Sequence, residues 1–255
     1  MTLLPSQQIN KFPYVKAYFT TRHGGISESP YGTFNHAFHV GDKEEDVLEN
    51  HHRLGKNLHY DYHQLIHMRQ IHSDIITTVD STMDFKSPPQ CDALITNRIN
   101  VPIMVMSADC TPILIYDPIN HAIAAVHAGR AGALNNILPK TLDAMKKQFG
   151  TTLDNVSIVL GPSIHGCCYE INEIIANEVN EKGYKNALLH QKEKVFLDVN
   201  TILHHQLREM GISSQCIESE SLCTSCHCED YFSYRADHQH TGRIAGIIVL
   251  RPLPV

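Results

Sequence analysis

Short, strongly apolar runs recur along the chain and predict β-strands. Several are almost continuously apolar, which is expected of strands that are covered on both faces. None approaches the roughly 20 apolar residues of a membrane-spanning helix, so we predict no transmembrane segment. The runs occupy residues 14–20, 75–79, 103–106, 113–116, 123–127, 156–160 and 244–250.

Helical periodicity lies between these runs. The clearest helix is predicted over residues 198–210, where apolar residues recur every three or four positions, with Asp198 as N-cap and Gly211 just past the end. A proline such as Pro139 must lie in the first turn of its helix or kink it. Further helices are predicted over residues 44–58, 134–149 and 170–182.

The order of the elements predicts a mixed α/β or α+β protein, since strands and helices are interspersed. We find no internal repeat, low-complexity tract or long linker, so we predict a single domain over residues 1–255. The chain is 42% hydrophobic and 19% charged, as in an ordinary globular protein. Its net charge of −6 argues against nucleic acid or an anionic membrane as the main partner.

The N-terminal residues do not resemble a secretory signal, because they lack a basic segment and their apolar stretch ends at Pro5. We therefore expect a cytoplasmic protein whose 8 cysteines are thiols rather than a disulfide framework. The 18 histidines are also unusually many, and the question is which of these side chains carry chemistry.

Three segments place a metal-ligand type of side chain next to an apolar run: His72, Cys110 and His127. Three protein ligands with an open fourth position suit a catalytic Zn²⁺. Their separations of 38 and 17 residues match no local chelate motif. The alternative is therefore two hydrogen-bonded or buried histidines and an inert thiol.

Short motifs in a fixed order cover the chain from about residue 15 to residue 250. In these motifs it resembles the laccase-domain or YfiH-like family, also called multicopper polyphenol oxidases or purine nucleoside phosphorylases. The motifs are TTRHGGIS at 20–27, RQIH at 69–72, CDALIT at 91–96, ADCTP at 108–112, HAG at 127–129, GPSI at 161–164, CCYE at 167–170, SLCT at 221–224, FSYRAD at 232–237 and TGR at 241–243.

The resemblance implies an α+β fold, a single domain with mixed β-sheets flanked by helices, like the catalytic domain of bacterial cytotoxic necrotizing factor. It implies zinc, or less favourably copper, on His72, Cys110 and His127. The implied reactions are phosphorolysis of adenosine, inosine, guanosine and methylthioadenosine to base plus sugar 1-phosphate, and hydrolytic deamination of adenosine to inosine. Purine nucleosides and phosphate are then the small-molecule partners.

These reactions need a proton carrier and an anion site. Asp109, beside the ligand Cys110, and Glu170 are candidates for the proton carrier. Arg22 in its glycine-rich turn is the first candidate for phosphate, followed by Arg235 and Arg243. For any one of these arginines, a solvated surface charge or a structural ion pair is the alternative.

One motif departs from the family pattern. After His-Ala-Gly the family usually has Trp, a basic residue and Gly, whereas this chain has Arg130, Ala131 and Gly132. The ligand His127 is unaffected. We expect the difference to alter the wall of the pocket, and with it substrate preference or rate.

Other functions compete with this hypothesis. A true multicopper oxidase needs repeated His-x-His pairs, and this chain has one, at His238 and His240, so phenol oxidation is at best a side activity. A metal-free hydrolase would use Cys110 as nucleophile with His127 or His72 as base. The resemblance connects that chemistry to an amidase that edits peptidoglycan precursors. A binding module without catalysis would leave the clustered candidate residues unexplained.

The remaining cysteines include a Cys-x-x-Cys at Cys223 and Cys226, followed by Cys228, which resembles half of a structural zinc site. Cys216 or Cys91 would have to complete it, because the sequence holds no second Cys-x-x-Cys. We therefore predict a thiol-bearing loop there. The adjacent pair at 167–168 is assigned to packing and loop geometry.

Overall fold

The computed structural model describes residues 2–253. The strands, numbered in chain order, are β1 (Leu3–Pro5), β2 (Val15–Thr20), β3 (Ile76–Thr78), β4 (Ala93–Thr96), β5 (Ile103–Ser107), β6 (Thr111–Asp117), β7 (Ala122–Ala128), β8 (Ser157–Leu160), β9 (Glu170–Ile171), β10 (Leu188–Gln191), β11 (Lys194–Leu197), β12 (Ile217–Ser219) and β13 (Ile244–Leu250).

The α-helices are amphipathic or short, and several begin at a side chain that caps the first turn. Asp198 accepts the N–H of Thr201 and Asn172 accepts the N–H of Ile175, as good N-caps do. The helices are α1 (Gln7–Asn10), α2 (Glu44–Leu58), α3 (Arg130–Leu134), α4 (Ile137–Phe149), α5 (Glu173–Glu181) and α6 (Val199–Glu209).

Three sheets organise these elements into an α+β fold, as predicted. A six-stranded sheet has the order β12-β8-β6-β7-β4-β3, a four-stranded sheet has β1-β2-β13-β5, and a small sheet has β10-β11-β9. The large sheet is mixed, since β12 runs parallel to β8 and β3 parallel to β4 while its other pairs are antiparallel. Both ends of the described chain meet in the four-stranded sheet, where β13 pairs with β2.

Both faces of the large sheet are covered, which explains the uninterrupted apolar runs. Along β6, Ile113 and Ile115 pack with the residues of α4 and α6. Leu114, between them, points to the opposite face and packs against Val105 and Ile248 of the four-stranded sheet. Successive side chains of a strand point to opposite faces, so a strand between two apolar layers has no polar side.

Most predicted elements are confirmed within two residues, and the helix 44–58 and the strand 244–250 match exactly in their bounds. Asp198 and Gly211 delimit α6 as predicted, with Gly211 at φ 78°. No helix among residues 2–253 combines the length and apolar character needed to cross a membrane. The predicted domain also takes in Met1, Pro254 and Val255, which lie outside the described residues.

Two helix predictions are corrected. The helix predicted over 170–182 begins at Glu173, because residues 170–171 instead pair with β11 as strand β9. The helix predicted over 134–149 begins only at Ile137, because α3 ends at Leu134 and Asn136 adopts a left-handed φ of 61°. Asn tolerates this conformation better than most residues. Pro139 then lies in the first turn of α4 and causes no kink.

Three histidines lie buried in the apolar layer between α2 and the four-stranded sheet. The ring centroids of His36 and His51 are 5.1 Å apart, and those of His51 and His67 6.1 Å. Burial lowers the pKa of all three rings, that of His36 to about 3. The folded chain therefore holds these rings neutral at pH values where an unfolded chain would protonate them.

We predict that this cluster makes the fold acid-sensitive. Below about pH 6.5 the unfolded chain binds protons that the folded chain does not, so the free energy of unfolding falls as pH falls. Each such histidine contributes a slope of about 1.4 kcal/mol per pH unit. His36→Leu should reduce the slope by that amount in urea unfolding between about pH 5 and about pH 6.5, whereas His190→Leu, at an exposed position, should not. An unchanged slope in His36→Leu would contradict this assignment.

Candidate active site

The structure brings the three predicted metal ligands together. One ligand atom each from His72, Cys110 and His127 lies within 4.8 Å of the other two. Cys110 directly precedes β6 and His127 lies near the end of β7, and these strands pair with Thr111 opposite Ala128. The hairpin therefore presents Cys110 and His127 at one end, and the loop before β3 supplies His72.

Asp92, which belongs to the CDALIT motif but was not predicted as a site residue, contacts two of the three candidate ligands. It is fully buried, and its carboxylate accepts the backbone N–H groups of Ile71, His72 and Ser73 at 3.3, 3.0 and 2.6 Å. It also accepts hydrogen bonds from the Ser73 hydroxyl at 2.7 Å and from Nδ1–H of His127 at 2.8 Å. One carboxylate thus fixes the loop of one ligand and the ring of another.

The hydrogen bond from His127 to Asp92 has a consequence for metal binding. With Nδ1 committed to a carboxylate, the other ring nitrogen, Nε2, is the one available to a metal, as is usual for ligand histidines. Burial raises the pKa of Asp92, but hydrogen bonds from His127 and Ser73 outweigh it and hold the pKa at about 2. Asp92 is therefore an anion at any physiological pH.

The backbone around the three ligands is shaped to bring them close. A Cβ atom on Gly129 would lie 2.8 Å from Sγ of Cys110 and 3.4 Å from a ring carbon of His72. Any larger residue there would crowd the ligand atoms. His72 and Asp109 have positive φ angles of 59° and 86°, and such strained residues concentrate at functional sites.

The side chains also influence one another's protonation. Burial raises the pKa of Cys110, but His127 and His72 lower it by a larger amount, so that the pKa is about 6. Burial lowers the pKa of His127, but Cys110 and Asp92 raise it to about 9. Without a metal, these shifts favour a thiolate on Cys110 and a proton on His127. A thiolate is the form of cysteine that binds metals or acts as a nucleophile.

A cavity of about 510 Å³ opens over these residues, within the usual size of small-molecule sites, about 300–1,000 Å³. Its walls combine apolar or aromatic side chains with cationic ones. The apolar and aromatic members are Met106, Ile164, Tyr169, Val199 and Tyr234, and the arginines are Arg130, Arg235 and Arg243.

Two of the three arginines predicted to bind phosphate line this cavity. The Arg235 guanidinium lies 5.3 Å from the ring centroid of Tyr169 and donates to the carbonyl of Glu170 at 3.0 Å. The Arg243 guanidinium lies 5.7 Å from the ring centroid of Tyr234. Aromatic stacking and backbone carbonyls thus hold both guanidinium groups at the cavity wall.

Arg22 is placed differently. It is not among the cavity-lining residues, and its guanidinium donates to the carbonyls of Gly32 and Cys228 and lies 4.8 Å from the ring centroid of Phe232. These contacts join the glycine-rich turn to the C-terminal loops. They describe a structural arginine, and the predicted contact to phosphate gains no support from this position.

The two candidate proton carriers also differ. Asp109 lines the cavity, and its carboxylate accepts the Thr224 hydroxyl and the Arg235 N–H, each at 2.7 Å. Burial raises its pKa, against these hydrogen bonds. Glu170 does not line the cavity, and its carboxylate pairs with Lys194 at 2.8 Å.

Arg130, where the sequence departs from the expected motif, lies in the cavity wall. Arg130 lines the cavity at the start of α3, and its guanidinium pairs with the carboxylate of Glu178 at 2.6 Å. A cation held by an acidic residue of α5 thus stands in the segment where the motif usually carries Trp and a basic residue.

Metal donors among residues 2–253 form two groups of three or more. One is the trio described above, and the other consists of Cys167, Cys168, Cys223 and Cys226. His238 and His240 belong to neither, so this part of the chain holds no set of histidines for a four-copper centre. Neither Cys216 nor Cys91, the residues named as possible partners of the Cys-x-x-Cys, belongs to the group of four cysteines, because the fold brings the adjacent pair at 167–168 to it instead.

A family model described as multi-copper polyphenol oxidoreductase laccase matches residues 16–251. A purine nucleoside phosphorylase of Corynebacterium glutamicum is 37% identical over 237 residues, which covers 92% of this chain and 94% of the relative. A purine nucleoside phosphorylase of Streptomyces coelicolor is 32% identical over 240 residues, covering 91% and 94%.

Two solved structures have the same fold as this chain. The crystal structure of Bacillus licheniformis hypothetical protein YfiH superposes with a TM-score of 0.92 at 30% identity, covering 98% of this chain and 97% of that one. A Neisseria meningitidis protein superposes with a TM-score of 0.87 at 27% identity, covering 99% and 100%.

We predict that Asp92→Asn weakens zinc binding by the trio about 10- to 100-fold, because an amide orients the ring of His127 less firmly and makes its Nε2 a weaker donor. Zinc affinity would be measured by competition with a chromogenic chelator. Asp117→Asn is the matched control, since Asp117 is equally buried but caps the turn at the far end of β6, accepting the N–H groups of Ile119 and Asn120. Equal affinities in the two variants would contradict the role of Asp92.

Proposed function

The chain belongs to the multi-copper polyphenol oxidoreductase laccase family, and on this basis we propose that it is a zinc-dependent purine nucleoside phosphorylase that also deaminates adenosine. Its substrates would be adenosine, inosine, guanosine and methylthioadenosine, with phosphate or water as the second reactant. The names of its relatives support the phosphorylase activity. Deamination and the identity of the metal rest on the resemblance and on the chemistry of the site.

One observation carries the proposal: two histidines and one cysteine converge at a cavity whose wall also holds arginines. A phosphorylase needs an anion site beside a nucleoside site, and a cavity with both cationic and aromatic walls offers them together.

The donor set of His72, Cys110 and His127 fits a catalytic zinc, which takes three protein ligands and leaves one position open. Zinc bound there would supply Lewis acidity, polarising substrate groups and lowering the pKa of water. The protein's own contribution is orientation: Asp92 fixes the ring of His127 and the backbone at His72, and Gly129 leaves room for the ligand atoms.

The rest of the cavity would bind and orient the substrates. Arg235 and Arg243 would hold phosphate by charge-assisted hydrogen bonds, and the rings of Tyr169 and Tyr234 would stack against the purine. Asp109 would carry a proton, because its raised pKa brings its protonated form closer to neutral pH.

The cytoplasm is the compartment we propose, because none of the eight cysteines is in a disulfide. Cysteines without disulfides are typical of proteins that work in reducing surroundings.

A second candidate function is favoured by a specific observation. Cys110, His127 and Asp92 form the chain of nucleophile, base and orienting carboxylate that a cysteine hydrolase uses. Such an enzyme would cleave amides, as in editing of peptidoglycan precursors. The two functions exclude each other at a given moment, because a thiolate bound to a metal is not free to attack.

We predict that the purified protein releases adenine from adenosine only when phosphate is present, and forms inosine without phosphate. Cys110→Ala and His127→Ala should each lose the zinc and both activities, because each removes one of three ligands. Cys216→Ala is the control, since Cys216 lies outside both ligand groups. Chromatography of the products and metal analysis would check this together.

Two outcomes of that experiment would contradict the proposal. Activity retained in both ligand variants would mean that its site lies elsewhere. A metal-free wild-type protein that is fully active, and is inactivated by alkylation of Cys110, would favour the cysteine hydrolase.

We also predict that Arg235→Gln lowers the ratio of phosphorolysis to deamination at least about tenfold. A hydrogen bond to a charged group contributes about 1.5–3 kcal/mol, and only phosphorolysis needs phosphate. Initial rates at varied phosphate would measure the ratio. Arg53→Gln on the exposed face of α2 is the control, and equal ratios in the two variants would place the phosphate away from Arg235.

A further inference from the structure

We propose that Cys167, Cys168, Cys223 and Cys226 form a second metal site, a closed structural zinc centre with four sulfur ligands. One sulfur atom from each residue lies within 4.8 Å of the other three. The Sγ atom of Cys226 lies 3.6 Å from that of Cys167 and 3.3 Å from that of Cys168. This site does not depend on the proposed function.

The spacing of the sulfur atoms suits zinc. Four sulfur atoms at about 2.3 Å from a tetrahedral zinc lie about 3.8 Å from one another. The separations of 3.6 and 3.3 Å are slightly shorter than that value. A disulfide would need about 2.0 Å, so these thiols are unpaired. Four cysteines at the corners of one small volume are the ligand set of structural zinc sites, which keep no open position.

The two halves of the cluster come from loops that the fold already aligns. The N–H of Thr224 donates to the carbonyl of Ser163 at 3.0 Å, and the N–H of His165 points to Sγ of Cys223 at 3.4 Å. The Cys-x-x-Cys turn is closed by a hydrogen bond from the His227 N–H to the Cys223 carbonyl at 3.0 Å. A turn of this kind, with N–H groups facing sulfur, places two thiolates for one ion.

The loops that carry these cysteines have little regular structure to hold them. Residues 161–169 and 220–243 contain no α-helix or named β-strand. A metal that joins them contributes folding free energy, because the unfolded chain has no such site. Zinc would therefore crosslink the two irregular segments.

The proposed zinc site is not part of the cavity wall, since none of the four cysteines lines the cavity. Its neighbours do reach the cavity. The Thr224 hydroxyl donates to Asp109 at 2.7 Å, and the Arg235 guanidinium donates to the carbonyl of Cys168 at 3.4 Å. Zinc bound by the four cysteines would therefore hold in place Thr224, which contacts Asp109, and Cys168, which contacts Arg235.

Metal analysis of the full chain, purified under reducing conditions, tests the site directly. We expect about two zinc ions per chain, since each group of donors holds one. Cys226→Ser should lose one zinc and keep the one bound by the trio, whereas Cys110→Ala should lose the other. Cys228→Ser is the matched control, because Cys228 lies in the same loop but outside the cluster, and it should keep both.

A second readout uses the wild-type chain and does not depend on how the variants fold. Cobalt(II) substituted for zinc should give the intense visible absorption and sulfur-to-metal charge transfer of a tetrahedral four-sulfur site. Alkylation followed by mass spectrometry should find the four cysteines protected in the native protein and modified after removal of the metal.

Several results would overturn the site. These are one zinc per chain with no loss in Cys226→Ser, iron in place of zinc, or a disulfide among the four cysteines in the freshly reduced protein. A protein with two zinc ions and no action on purine nucleosides would instead refute the proposed function while leaving this site intact. The two proposals therefore fail separately.

Discussion

The buried carboxylate of Asp92 is the interaction on which the site depends. Burying an anion is costly unless hydrogen bonds replace the lost water, and here three backbone N–H groups, a hydroxyl and an imidazole do so. Each of these donors is fixed in turn by the anion that it stabilises. The loop of His72 and the ring of His127 are thereby held as one unit, and Cys110 meets them from the neighbouring strand.

The two apolar layers make this unit rigid. The hairpin of β6 and β7 is buried on both faces, so its end, where Cys110 and His127 lie, cannot shift without disturbing two cores. The opposite wall is built from irregular loops that carry Arg235 and Arg243. Binding sites are often formed by loops that a rigid scaffold positions.

Cysteine has two different uses in this chain. Cys110 faces a cavity with two histidines and leaves room for a substrate. The cluster of Cys167, Cys168, Cys223 and Cys226 offers only sulfur ligands and does not line the cavity over the trio, which favours a structural role. Composition cannot distinguish these uses, because what separates them is the number of ligands that converge and whether an open position remains.

Local sequence determined the long elements, and the family motifs predicted the trio of candidate metal ligands. An apolar run predicted β13 and helical periodicity predicted α2, both with exact bounds, because these signals lie in contiguous residues. Short exposed strands such as β10 were missed, since they depend on pairing with a distant partner rather than on their own pattern. Only the tertiary structure separated Arg22 from Arg235, brought Asp92 under the ligands and joined two cysteine pairs that lie far apart in sequence. Those outcomes depend on contacts between distant segments, which no local pattern encodes.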